Sequence, residues 1–494
     1  VKTDTDDDLL DSAGDSEDLL ATSAAGRRFL RGVSMRSVSY TASLLIGATV
    51  TPFITRHLGA VRWGEYVTVA SLLAIAVALT EGGLSSMGVR EFSSEGTHDR
   101  REYMSSLIGL RVVLSAIAAI ASIAFALVTH FQTVMVDGTV IGCVGIFLNN
   151  LQSTFGIVLV ARLRVGWLAV IDFVMQTVSV GWLIVMVALR APLLPFYAAT
   201  TIAAGVVLVL VVLLVRHDIS FAPSFVLSRW RALASETFVY AAATALGIVY
   251  AQVVVVATDL LTTHLQTGYF GLGFRVLQIV NGLPWVIVAT AFPILTRAAA
   301  SDPARLRYAL GRLSEVGLLV GGTLSIGLVI GAPFIVSVLG GGTFTGSVDV
   351  LRILGAGIPA TFLVATWSYA LLSLQAYRPL VVANAFAVLV AIALCVTLIP
   401  WLGARGSAVV TASLELVLSG VYAVILRRLG DTITLDRRRL GRIVLAFGAA
   451  YAAGLLLPGP SALRTVYALV VLAGGVVALR LFPEELVEML RPGG

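Results

Sequence analysis

Apolar residues dominate this chain in long runs, each about the 20 residues an α-helix needs to cross hydrocarbon, with arginines and turn residues collected in the gaps. Fourteen such runs are predicted to be transmembrane helices. In the first half they are Ser37 to Thr55, Tyr66 to Leu84, Leu107 to Val128, Val134 to Val160, Trp167 to Leu189 and Leu193 to Val215. In the second half they are Phe238 to Leu260, Val276 to Leu295, Glu315 to Leu339, Val350 to Leu372, Leu380 to Leu398 and Gly406 to Leu426. Ile443 to Leu457 and Thr465 to Phe482 follow as an extra pair. The predicted fold class is an all-α polytopic membrane protein.

Four runs carry polar residues at helical spacing: Asn149, Gln152, Ser153 and Gly156; Asp172, Gln176 and Ser179; Arg275, Gln278 and Gly282, with Asn281 beside them; and Ser407, Thr411, Glu415 and Ser419. Residues three and four apart share one face of a helix, and a face turned to lipid has no use for them. Either they hydrogen-bond between helices as packing glue, or they line a wet pathway. Asp172 and Glu415 favour the pathway, because a charge at mid-membrane costs about 2.5–3.5 kcal/mol even on the gentlest scale. These two acids are the expected coupling groups, one in each half, lining a central cavity and changing charge state during transport. Arg111 lies about one turn into its run, placed either to anchor at the interface or to meet a lipid phosphate. Arg275 and Asp259 stand near the ends of theirs, where snorkelling also accounts for them, and Arg111 or Arg275 is the expected partner for a lipid phosphate by charge-assisted hydrogen bonding. The stretch Tyr240 to Ala300 is read as a helix ending in Asp259, a hairpin from His264 to Phe274, and a helix opening at Arg275 and broken near Pro284.

Composition agrees with the pattern. Of 494 residues, 58% are hydrophobic and 13% charged, with mean hydropathy +0.95, whereas a soluble domain is about a quarter charged. With the N-terminus cytoplasmic, the segments on its side carry 25 arginines and those opposite carry 7, as the positive-inside rule requires. Both termini are thus expected in the cytoplasm and the chain in the plasma membrane. The net charge of +6 is explained by topology and attraction to anionic lipid, which leaves no call for nucleic acid as a partner. Cys143 and Cys395 sit inside runs and fit no ligand spacing, and the five histidines share no metal pattern. Gly340 to Gly342 precedes no Gly-Lys-Ser/Thr and reads as a flexible outer loop rather than a phosphate cradle. No cofactor is called for, and the energy source compatible with the acids is a proton or sodium gradient.

The expected organisation is an acidic, disordered cytoplasmic tail over 1–32 that includes Asp6, Asp7 and Asp8, a six-helix lobe over 33–215, and a linker over 216–237. A second six-helix lobe follows over 238–428, then two further helices and a tail over 429–494. Phe225, Val226, Leu227, Trp230 and Leu233 give the linker the character of an interfacial helix. No basic and apolar signal peptide precedes the first run. The turn His57 to Tyr66 and the turn His264 to Tyr269 each open with His-Leu and close on Gly and Tyr, six runs apart. Equivalent helices therefore run the same way, which describes parallel repeats about an axis along the membrane normal.

Ile54 to Gly59, Gly64 to Tyr66, Glu81 to Leu84 and Val89 to Glu91 together resemble the start of the polysaccharide-type flippases of the multidrug/oligosaccharidyl-lipid/polysaccharide exporter superfamily. The resemblance continues through Thr258-Asp259, Gly268-Tyr269, Leu283-Pro284, Phe292-Pro293, Leu339-Gly340 with Phe344, and Ile399 to Ala408 before Glu415, covering Arg28 to Arg428. It implies translocation of a polyprenyl-linked oligosaccharide to the outer leaflet by alternating access between two six-helix lobes. It also implies membrane lipids, glycosyltransferases and a polysaccharide polymerase as partners. Glu81 stands where that family often has Asp, and Glu81 and Asp259 are taken as loop motifs equivalent between the lobes. Two other classes compete. A cation-coupled exporter of small amphipathic molecules generally stops at twelve spans, and a membrane enzyme acting on polyprenyl-linked sugars would need a longer extramembrane segment than this chain has.

Overall fold

The computed structural model describes residues 23–81, 83–94, 97–162, 164–216, 223–225, 227–301, 303–430, 437–479 and 481. The expected acidic tail up to residue 22, the loop 431–436 and the residues from 482 onward lie outside them. The described chain is helical almost throughout, because backbone in hydrocarbon must satisfy its own hydrogen bonds. The helices of the first half are α1 (Ser23–Glu81), α2 (Leu84–Ser94), α3 (Thr97–Val128), α4 (Thr133–Ala161), α5 (Val165–Ala188) and α6 (Leu194–Val215). Those of the second half are α7 (Leu227–Leu261), α8 (His264–Ser301), α9 (Pro303–Leu339), α10 (Ser347–Ser373), α11 (Tyr377–Leu402) and α12 (Ala404–Arg428). The pair α13 (Arg437–Leu456) and α14 (Ser461–Ala478) completes the chain. Among the described residues 12 helices are long and apolar enough to span a membrane. The first of them holds two of the predicted spans, and α8 carries the eighth.

Several expectations change. The first two spans form one continuous element turned at Gly59 (φ 71°, ψ 173°), a conformation open to glycine because it has no Cβ. Ser23 to Gly32, expected to be tail, is already helical, since Ala, Arg and Leu propagate a helix outward from the span. The hairpin expected at His264 to Phe274 is instead the first turns of α8, which runs on past Pro284 to Ser301 without interruption. Among the described residues the linker forms no separate helix: α7 already begins at Leu227. Trp230 donates its indole N–H to the Ser106 carbonyl at 3.0 Å, and the Ser224 amide donates to the Ser105 carbonyl at 2.8 Å. Gly341–Phe344 is a 3-10 turn rather than a flexible loop, anchored by the buried Phe344 ring.

The two faces of the molecule are distinguished by the Gly59 turn on one and the arginine-rich segments on the other. A single apolar core runs through both halves, joining Ile54, Trp63, Leu183 and Phe196 to Phe270, Leu351 and Leu414. Toward the arginine-rich face the first half has a second core, with Met104, Leu107, Val158 and Val211, against which Trp230 of α7 also packs. A third core packs α13 and α14 against α9 through Ile326, Ile330, Ala450 and Leu472. The halves therefore share one core, and among the described residues Trp230 of α7 is a contact between them at the arginine-rich face.

The contact between the halves at the Gly59 face has a local cause. Any side chain at Gly64 would run into the carbonyl of His264, and any at Gly268 into the carbonyl of Ala60. Each glycine lies four residues after the residue whose carbonyl meets its partner, so α1 and α8 touch backbone to backbone in a reciprocal contact. The two turns noted as similar in sequence thus pack on each other, as a two-fold axis between them demands.

Candidate functional site

A cavity of about 600 Å³ lies between the halves. One wall is the α1 stripe from Tyr66 through Ala70, Ala74 and Ala78 to Glu81, spaced to keep one face; Asn149 of α4, Tyr197 of α6 and Thr244 of α7 help close the others. Of the predicted site residues, only Asn149 and Glu81 reach this wall.

At its end toward the arginine-rich face, Glu81 meets Arg111 of α3. The guanidinium is fully buried, and its Nη1 donates to Glu81 Oε2 at 2.5 Å and to Ser153 Oγ at 2.6 Å, while Nη2 donates to Ser85 Oγ at 2.8 Å. The Ser153 hydroxyl donates to the same Glu81 oxygen at 3.1 Å. Beneath the pair, the Asn150 amide donates to Thr80 Oγ1 at 3.0 Å and to Ser115 Oγ at 2.8 Å. One network thereby ties α1, α2, α3 and α4. A buried charge must be paired in such surroundings, so Arg111 is neither an interfacial anchor nor a phosphate ligand here: its charge is spent on Glu81. Asp259 is not equivalent to Glu81 either. It stands at the opposite face, at the end of α7, paired with His264 Nδ1 at 2.7 Å.

A second cluster surrounds Gly47 of α1. A Cβ there would lie 3.0 Å from the Gln176 amide nitrogen of α5 and 3.4 Å from Arg275 Nη2 of α8, so the missing side chain makes room for both. Arg275 is half-buried and touches Gln278 Oε1 at 3.5 Å. Among the described residues no carboxylate pairs with it. Gln278 is exposed, Asn281 is half-buried with Oδ1 unpartnered, and Gln152 of α4 is half-buried with Oε1 unpartnered. Asp172 is half-buried and engaged; it does not line the cavity.

Glu415 does not line it either. It is 6% exposed inside the second half, where the Tyr250 hydroxyl of α7 donates to Oε1 at 3.2 Å. Its Oε2 and the Thr361 hydroxyl of α10 both lack partners. Nearby, the Tyr422 hydroxyl donates to Asn384 Oδ1 at 2.7 Å, and Asn384 donates to the Ala243 carbonyl at 2.8 Å. Further along α12, Ser407 pairs with Thr258 at 2.7 Å. The stripe found by spacing is real, but it faces α7 and α10, not the gap between the halves. Periodicity identifies which residues share a face and is silent on what that face meets. Tyr66, Tyr197, Tyr250 and Thr361 were missed because a lone Tyr or Thr in an apolar run carries no signal of its own.

Two six-helix halves around a cavity define a polytopic membrane protein with transporter architecture. The chain belongs to the family described as polysaccharide biosynthesis protein, which it matches over residues 29–299. Its fold is similar to that of the lipid II flippase MurJ in an inward closed conformation, with TM-score 0.75 and 13% identity, covering 90% of this chain and 98% of that one. It is also similar to a multidrug resistance MATE family transporter of the MOP superfamily in an inward-facing conformation, with TM-score 0.63, 12% identity and coverage of 80% and 97%. The MATE multidrug transporter DinF-BH gives TM-score 0.62, 15% identity and coverage of 85% and 100%. At such identities the fold is what is shared. No curated protein matches the chain by sequence.

Proposed function

We propose that the protein is a flippase that moves a polyprenyl-linked oligosaccharide from the cytoplasmic to the outer leaflet by alternating access. Its Gly59 face is outward and its termini are cytoplasmic. The observation that carries this reading is Arg275: a half-buried cation at mid-depth, flanked by Gln176 and Gln278 and without a described carboxylate. A fixed guanidinium beside amide donors suits a lipid phosphate. An exporter of cations would want free negative charge in the cavity, and here the one acid on its wall is neutralised by Arg111. The membership in a polysaccharide biosynthesis family supports the same choice, with glycosyltransferases and a polymerase as the activities that supply and consume the substrate.

Glu415 and Asp172 are the proposed coupling groups. A carboxylate with one oxygen held by Tyr250 and the other free beside Thr361 can take up a proton or a sodium ion. Such uptake biases transport only through a difference in affinity between the two states of the lobes. In proteoliposomes, wild-type protein should flip a labelled lipid-linked glycan, and Arg275→Gln should slow this about 10–100-fold, as expected for loss of one charge-assisted contact of about 1.5–3 kcal/mol. The double variant Glu415→Gln/Asp172→Asn should keep its fold and lose the response to an imposed proton or sodium gradient. Dye export without glycan flipping would favour the drug-exporter reading.

Orientation has its own test. In protein lacking Cys143 and Cys395, a cysteine at position 345 should react with a membrane-impermeant thiol reagent on intact cells while one at 434 should not. The reverse pattern would overturn the topology.

A further inference from the structure

Where α1, α7 and α8 meet at the Gly59 face, two acids and a histidine share the reciprocal glycine contact. Asp259 ends α7, is 8% exposed, and holds His264 at 2.7 Å. Glu65, immediately after Gly64 on α1 of the other half, is also 8% exposed, and its charge acts on both His264 and Asp259. Glu65 belongs to the wall of a second cavity, about 640 Å³, lined at this face by Gly59, Arg62, Gln132 and Pro192. Water and protons thus have a route to the seam. Facing the same cluster from α6 is Tyr197, whose buried hydroxyl has no partner and feels the charges of Glu65 and Asp259. Arg62, on α1, is the remaining charged group acting on Glu65.

We propose that Glu65, Asp259 and His264 form a proton-binding site, reached from the Gly59 face, whose occupancy holds the two halves together. With His264 protonated, its cation is bonded to Asp259 at 2.7 Å and attracts the Glu65 carboxylate of the other half across the seam. With His264 neutral, the like charges of Glu65 and Asp259 act on each other across the seam without a cation between the halves, and their repulsion disfavours closure. The site closes the seam while it holds the proton and loosens it once the proton is lost. It is distinct from Glu415 and Asp172, and it acts on the seam whether or not any substrate is present, so it stands apart from the reading of the substrate.

The test uses full-length protein free of Cys143 and Cys395 in liposomes without substrate, with spin labels at positions 134 and 402. These are exposed sites on the two halves at this face. Between about pH 5 and about pH 8 the long-distance fraction should grow about 5-fold or more, the lower end of ordinary coupling. His264→Gln should favour the long distance at both pH values, and Glu65→Gln the short distance at both. Those opposite signs separate a charge site from a merely structural contact, which either substitution would loosen. A wild-type distribution unchanged across this range would overturn the proposal. So would His264→Gln retaining the wild-type pH response, or Glu65→Gln opening the seam.

Discussion

Arg111→Met is expected to destabilise the protein by up to about 3 kcal/mol, the lower end for removing one member of a buried ion pair, because the Glu81 side chain left behind is 34% exposed. The guanidinium is fully enclosed and binds Glu81, Ser85 and Ser153 on three other helices, so its loss strands the Glu81 charge beside hydroxyls that had been oriented by it. The packing of α3 on α4 is lost with it, because Asn150 and Ser115 belong to the same network. Adding Glu81→Gln should recover a large part of the loss, since the stranded charge, more than the missing contact, is what costs most. Thermal unfolding of the two single variants and the double variant in detergent forms the cycle. Independent, additive effects of the two substitutions would show that the pair does not act as a unit.

Gly268→Val should shift the protein away from the form described here. Its Cβ would occupy the position of the Ala60 carbonyl oxygen, and backbone, unlike a flexible side chain, has nowhere to go. Overpacking of this kind costs about 1–3 kcal/mol. Applied to one state of an equilibrium, that is a change of about 5- to 150-fold in the ratio of closed to open seam. Gly64→Val should act in the same direction through the His264 carbonyl. The labels at positions 134 and 402 report this directly, and flipping should fall together with the closed population. Unaltered distances in both variants would mean that the α1–α8 contact does not govern the seam.

Much of this architecture was legible in the chain. Run length located the spans and arginine placement gave them one consistent alternation, because both are read by the membrane locally: hydrocarbon thickness sets the length, and loop charge sets the side. The likeness of the turns at His57 and His264 pointed to the parallel repeat, and their reciprocal contact through Gly64 and Gly268 gives that likeness a physical reason. Other local features misled. His264 to Phe274 resembled a hairpin through its glycines, yet Gly268, Gly271 and Gly273 are there for close packing inside a helix, with Val67 and Val350 against the latter two. Phe225, Val226 and Leu227 with Trp230 and Leu233 resembled a separate interfacial helix, yet from Leu227 onward the chain is the start of α7.

Sequence by itself determined the all-α polytopic class and which polar residues share a helix face, since these depend on residues no more than one helix length apart. Only the tertiary structure decided what those faces meet. Arg111 was ambiguous between an anchor and a phosphate ligand until Glu81, 30 residues away, was found against it. Glu415 was expected in the cavity until Tyr250, 165 residues away, was found at its oxygen. Arg275, read in the chain as either a snorkelling residue or a partner for lipid phosphate, stands between Gln176 and Gln278 with no described carboxylate beside it. A side chain's partner across helices is set by helix rotation and close approach, which arise from the packing of the whole molecule and leave no periodic trace along the chain.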